Sequence, residues 1–186
     1  SRGLDELQNW LENGYDTIQD WDKQYSDWFA VPKSIKTTSV KPSGTVSLLA
    51  GATPGLHYPE SRFYIRRVRL SNHSELLEPL KKAGYKIEPA FGSEDTTMVV
   101  EVPVDVGEGI RTAAELSIWE QFSLAAFLQR HWADNQVSCT ATFNPETEAE
   151  QLPYVLNYFQ YRLKGISLLP RHELGAYKQM PYESID

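Results

Sequence analysis

Leu4, Leu7, Trp10 and Leu11 recur at helical spacing and predict an amphipathic helix over 4–13, stopped by Asn13-Gly14. A second stripe, Trp21, Tyr25 and Trp28–Phe29, predicts another helix over about 20–29. Both read as packing elements, because aromatic stripes at this spacing are ordinarily core. After Pro32 the pattern changes. Residues 34–40 are rich in β-branched side chains and predict a strand. Pro42 stops it, since proline cannot donate to a ladder. Val46 to Ala50 is a short apolar run that reads as the start of a helix.

The remaining segments alternate in the same way. Residues 53–59 form a turn-rich connector, and 62–70 read as a strand carrying Arg62, Arg66, Arg67 and Arg69. Asn72-His73-Ser74-Glu75 signals a helix start, and Lys81, Lys82 and Gly84 signal its end, with Pro79 suggesting a kink. Residues 85–91 and 96–104 predict two strands joined by a turn at 92–95. The second is apolar enough to be buried. Thr112 and Glu115 form a capping box that opens a largely apolar helix over about 113–132. Residues 136–143 predict a strand with Val137, Cys139, Ala141 and Phe143 on one face. Thr147 and Glu150 repeat the capping box before an aromatic helix over 154–163, ended by Gly165, and 166–169 predict a short buried strand. Alternating helices and strands make the class α/β.

Length and charge narrow the function. The 186 residues suit one domain with a sizeable core. A net charge of −7 argues against a nucleic-acid surface, though a local positive site for a nucleotide remains compatible with it. The one cysteine, Cys139, excludes an internal disulfide framework and fits a reducing, cytoplasmic setting. It stands on an apolar strand face, where a thiol behaves as a small hydrophobe rather than a redox group. No apolar run is long enough for a bilayer. The N-terminus has neither a signal-peptide core nor an initiator methionine, and reads as part of something longer.

Candidate chemistry centres on 41–55, which reads strand, small-residue turn, helix start. Gly44 permits a sharp turn and close approach of a ligand. Free N–H groups and the positive end of a helix dipole then converge on one point, where phosphate is suited. The hydroxyls of Ser43, Thr45 and Ser47 add donors. The spacing is neither GxxxxGK[ST] nor GxGxxG, so an ordinary strand-to-helix turn stays open as the alternative. The arginines of 62–70 read as a positive wall for phosphates, or equally as partners of carboxylates on a solvated face. His57 reads as a structural residue. Glu115 and Glu120 point different ways on a helix and make no acid–base pair.

The stretch TSVKPSGTVSLLAGATPGLHYPESRFYIRRVRLS at 38–71 resembles the substrate-phosphate loop and following strand of ribonucleotide reductases. HSELLEPLKKAGYKIEP, WADNQVSCTATFNPE and LKGISLLPRHELGAYKQMPYE extend the likeness over nearly the whole chain, in the family's order. The chain most resembles the adenosylcobalamin-dependent (class II) ribonucleoside-triphosphate reductases, which make deoxynucleotides for DNA synthesis. That resemblance implies a substrate-phosphate site at Pro42, Ser43, Gly44, Thr45, Val46 and Ser47. It implies the C-terminal half of a ten-stranded α/β barrel, with 1–186 one domain fragment and a small α/β excursion at about 72–105. It implies adenosylcobalamin as the parent enzyme's cofactor, a ribonucleoside triphosphate as substrate and the N-terminal part of the enzyme as partner. It implies no membrane and no nucleic acid. The family's radical cysteine in its finger loop, with flanking asparagine and glutamate, and its reducing thiol pairs have no counterpart here. The chain alone is therefore expected to be inactive. A non-catalytic nucleotide-binding or assembly fragment is the alternative.

Overall fold

Helix α1, Leu4–Phe29, runs unbroken through Asn13-Gly14, where the sequence predicts a stop. The chain is seen in a computed structural model that describes residues 3–43, 47, 52–171 and 178–185. Gly14 is retained because it is small: a Cβ there would meet the Trp132 ring at 3.3 Å. Glu12 and Tyr15 on either side reach His131 and Asp134 at 2.7 and 2.8 Å, so tertiary contacts override the local stop. From Gln19 onward the helix turns polar groups inward. Gln19 donates to Thr37 Oγ1 at 2.7 Å, Asp22 accepts from the Ser34 N–H at 3.0 Å, and Ser26 is buried. Trp21, Tyr25, Trp28 and Phe29, expected to pack in a core, are instead exposed and packed on one another.

Two compact units make up the chain, Ser1–His57 with Ser117–Arg171 and Tyr58–Leu116 with His172–Asp186. In the first, α3 (Ile118–His131) and α5 (Leu152–Phe159) pack on a parallel pair, β4 (Thr140–Phe143) and β5 (Ser167–Pro170). Ile118, Phe122, Ala126, Ala141, Phe143, Val155 and Phe159 form the core. A second cluster joins Ala125, Ala133, Val137 and Cys139, with Val40 and Leu56 against it. The helix expected over 113–132 is in fact two elements. Thr112 and Glu115 cap a single 3-10 turn, Leu116 is extended, and a second capping box at Ser117 and Glu120 opens α3. Asn144, rather than Thr147, caps the next helix, α4 (Pro145–Glu148). The strand expected over 34–40 survives as one parallel bridge, Val40 to Val137.

The second unit is a four-stranded antiparallel sheet of order β2-β3-β1-β6. β1 is Phe63–Ser71, β2 Lys86–Pro89, β3 Thr97–Asp105 and β6 Tyr182–Ser184. β1 and β3 pair along their full length, from Phe63 opposite Asp105 to Ser71 opposite Thr97. Successive β3 residues, Val99 and Val100, are both buried, as its continuous apolar run requires. The short helix α2, Leu77–Lys82, starts later than Asn72 suggests, with no side-chain cap. Gly84 ends it at φ +85°. The excursion expected at about 72–105 lies inside this unit. Neither sheet closes on itself among the described residues.

Candidate functional site

The loop expected to bind phosphate leaves the first unit's parallel ladder at Val40 and returns at His57. Of its residues, Pro42, Ser43 and Ser47 are described; Gly44, Thr45 and Val46 lie outside the described residues. The Ser47 N–H donates to Ser43 Oγ at 3.1 Å, and the Ser47 hydroxyl donates to the Ser43 carbonyl. The two serines at the ends of the turn thus satisfy each other. The Ala52 N–H closes the next turn on Ser47 O at 2.9 Å.

Both arms of the loop are fastened to one strand segment. On the entering arm, the Ser138 N–H donates to Val40 O at 2.9 Å. On the returning arm, Gly55 has φ +63°, and a Cβ there would stand 3.3 Å from Lys41 O. The arms therefore pass at a distance only glycine tolerates. Leu56 packs against the Val137 and Cys139 cluster. His57 Nδ1 donates to Pro54 O at 2.9 Å, and its Nε2 accepts the Thr140 N–H at 3.1 Å. A carbonyl can only accept and an amide N–H can only donate, so these partners select the Nδ1–H tautomer. His57 is a satisfied structural histidine, as the sequence suggests.

The same edge of β4 continues under side chains. One edge pairs with β5; the other has, among the described residues, no strand beyond the Val40 bridge. Gln121 fills the position at Thr142, with its Nε2 on Thr142 O at 2.7 Å and its Oε1 on Thr142 N at 2.9 Å. Glu148 fills the next, accepting from Asn144 N at 2.8 Å while it also caps α3 at Ile118 N, 2.8 Å away, and meets Arg171 at 3.2 Å. Backbone, histidine, amide and carboxylate thus satisfy Ser138, Thr140, Thr142 and Asn144 in succession. Sequence reasoning missed these roles. No local sequence signal marks them: Gln121 is buried, but it is one of several polar residues on its helix.

The loop's approach is held from below by Asp134. It accepts from the Thr37 N–H at 2.9 Å and from the hydroxyls of Thr37 and Tyr15 at 3.0 and 2.8 Å. The Thr37 N–H foremost holds its carboxyl below the usual aspartate range. Cys139 lies in the cluster under the loop, where burial pushes its thiol up to about 11. Burial thus favours its neutral thiol over the nucleophilic thiolate.

In the second unit, the four arginines expected as a phosphate wall have partners within their own sheet. Arg67 pairs with Glu101 at 2.9 Å and Glu183 at 2.5 Å. Arg62 pairs with Asp105 at 3.3 Å and Glu108 at 3.5 Å. Arg66 donates to Pro181 O at 3.0 Å and lies 4.4 Å over the Tyr182 ring, and Arg69 donates to Gln179 O at 3.2 Å. Arg62 and Arg67 follow the carboxylate-partner reading, and Arg66 and Arg69 bond backbone carbonyls instead. Burial pushes the Glu101 carboxyl up, but hydrogen bonds and charge from Lys86 and Arg67 outweigh it and leave it below the usual range. Among the described residues no cluster of His, Cys, Asp and Glu could hold a metal ion, and no helix is long and apolar enough to cross a membrane.

Comparison with known proteins gives a consistent picture. An adenosylcobalamin-dependent ribonucleoside-triphosphate reductase of Euglena gracilis is 60% identical over 185 residues, 100% of this chain and 25% of that protein. A probable enzyme of the same name from Dictyostelium discoideum is 57% identical over 99% of this chain and 24% of its own length. One from Levilactobacillus brevis is 43% identical over 92% and 23%. A crystal structure of a B-12 dependent (class II) ribonucleotide reductase superposes with a TM-score of 0.83 at 38% identity, covering 98% of this chain and 26% of that one. No protein-family model matches. The chain spans about a quarter of the length of the curated relatives it matches.

Proposed function

Because the chain is homologous, over its whole length, to about a quarter of the adenosylcobalamin-dependent ribonucleoside-triphosphate reductases, we infer that it is the part of such an enzyme that binds the substrate's phosphates. Residues 1–186 are then one fragment of a ten-stranded α/β barrel, its C-terminal half, working in the cytoplasm with the N-terminal remainder as partner. The observation that carries the reading is the fastening of both loop arms to 137–140, which holds an irregular backbone in one place. Ligands of open α/β sheets bind beyond the carboxyl ends of parallel strands, where this loop begins.

Pro42 shapes the turn. The N–H groups of Gly44, Thr45, Val46 and Ser47, with the hydroxyls of Ser43, Thr45 and Ser47, take the phosphate oxygens of a ribonucleoside triphosphate. Binding exchanges the Ser47–Ser43 bonds for bonds to phosphate, so the ligand pays no penalty for stripping water from a buried donor. Adenosylcobalamin, when bound in the whole enzyme, supplies the radical that makes a thiyl on a cysteine. Cys139, packed in an apolar cluster and outside any finger-loop motif, is not assigned that role. Both ring nitrogens of His57 are in use, and no contact to the cofactor is assigned to this chain. Alone it binds nucleotide without turnover.

Complementation tests this. The chain is mixed with the remaining three quarters of a relative reductase, adenosylcobalamin and a dithiol. Deoxynucleotide should form, and a folded, associating Gly44→Val chain should give none. A folded, associated pair that makes no deoxynucleotide with the unaltered chain would leave a non-catalytic fragment as the better reading.

A further inference from the structure

The reading above leaves His57 without a task, yet its ring joins the loop's returning arm to β4. Its two ring nitrogens have opposite duties, donating to Pro54 O at 2.9 Å and accepting from Thr140 N at 3.1 Å. The returning arm has two further local bonds among the described residues, Thr53 Oγ1 to Gly55 O at 3.1 Å and the His57 N–H to Pro54 O at 3.3 Å. The entering arm is fixed by a backbone bond to Ser138, two residues before Thr140. The distance across the loop's neck is therefore set by two adjacent fastenings on one strand, one of them an imidazole.

We propose that His57 is a positioning residue for the phosphate loop: it clips the returning arm to Thr140 and so fixes the separation of the two arms at the loop's neck. The proposal rests on the phosphate reading of 42–47. The acceptor at Nε2 carries the clip, because Pro54 O is also bonded by the His57 backbone N–H at 3.3 Å. Arms already fastened spare the ligand part of the entropy of ordering the loop.

Two substitutions separate the duties. His57→Asn keeps a donor near Pro54 O but has nothing to offer Thr140. His57→Gln places an amide oxygen where Nε2 stands and keeps the acceptor. The chain is titrated with adenosine triphosphate while the Thr140 and Ser47 amides are followed by NMR, and amide exchange is measured without ligand. In His57→Asn, Thr140 exchange should accelerate and affinity should fall about tenfold, the worth of one ordered hydrogen bond. His57→Gln should restore both. Equal behaviour of the two variants, or wild-type affinity in His57→Asn, overturns the clip. If the unaltered chain binds no adenosine triphosphate, the phosphate reading fails, and the ligand-free measurement still decides the clip. Accelerated Thr140 exchange and a shifted Ser47 amide in His57→Asn but not His57→Gln support it; unchanged exchange refutes it.

Discussion

The two units use their polar side chains in opposite ways. In the second, the backbone is satisfied by an antiparallel ladder, and the charged side chains are left to pair with one another, Arg67 with Glu101 and Glu183, Arg62 with Asp105. In the first, the parallel ladder is short, and side chains are spent on backbone instead. His57, Gln121 and Glu148 line one edge of β4, and Asp134 holds the turn at Thr37. A regular sheet leaves its side chains free. An irregular backbone consumes them, and the first unit is irregular where the loop must leave and return. Side-chain-to-backbone bonds along a strand edge thus hold the irregular backbone of the first unit, while ion pairs across a sheet brace the second.

That contrast can be broken at several strengths. Gln121→Leu keeps the volume but leaves the Thr142 N–H and C=O buried without partners. It should cost about 3 kcal/mol in urea unfolding, since each orphaned group carries its own desolvation penalty. A loss under about 1 kcal/mol would mean the edge is not held by side chains. Arg67→Leu strands Glu101 on a mostly buried face and should cost about 2 kcal/mol, with faster amide exchange confined to β1 and β3.

Acid sharpens the contrast. The folded Asp134 and Glu101 carboxyls both lie below their unfolded values near about 4, so their stabilisation is complete above that pH and is lost as pH falls through the depressed folded values. Asp134 is held by neutral donors and Glu101 partly by exposed Lys86. Added salt should therefore raise the acid midpoint of the second unit while leaving the first where it is. Arg62→Ala, which removes an exposed pair, should leave the unfolding midpoint unchanged.

Much of this was legible in the sequence where the cause was local. The β-branched run of β3, the arginine-bearing strand β1 and the Gly84 stop all declare themselves within a few positions. The failures have distant causes. Continuity of α1 through Gly14 depends on the Trp132 ring, far away in the chain. The strand over 34–40 shortened to a bridge because Thr37 and Thr38 bond to Asp134 and Trp132 rather than to a ladder. The aromatic stripe of α1 was read as core from its period. Its period is correct, but the inward side from Gln19 onward is the polar one. The arginine cluster was legible as basic; its carboxylate partners sit on β3 and β6 and in the segment after β3. Nothing local distinguishes His57, Gln121 and Glu148 as edge caps, because Thr140, Thr142 and Asn144 become an open edge only once β4 has its single neighbour.

The most direct test of the account is an NMR titration of the labelled chain with a ribonucleoside triphosphate, following the Gly44, Thr45 and Ser47 amides. Saturable shifts at these three, with little change in β1 and β3 and none in Gly44→Val, are the predicted result. A well-folded spectrum in which those amides do not move, or in which the β1 arginines respond instead, would contradict it.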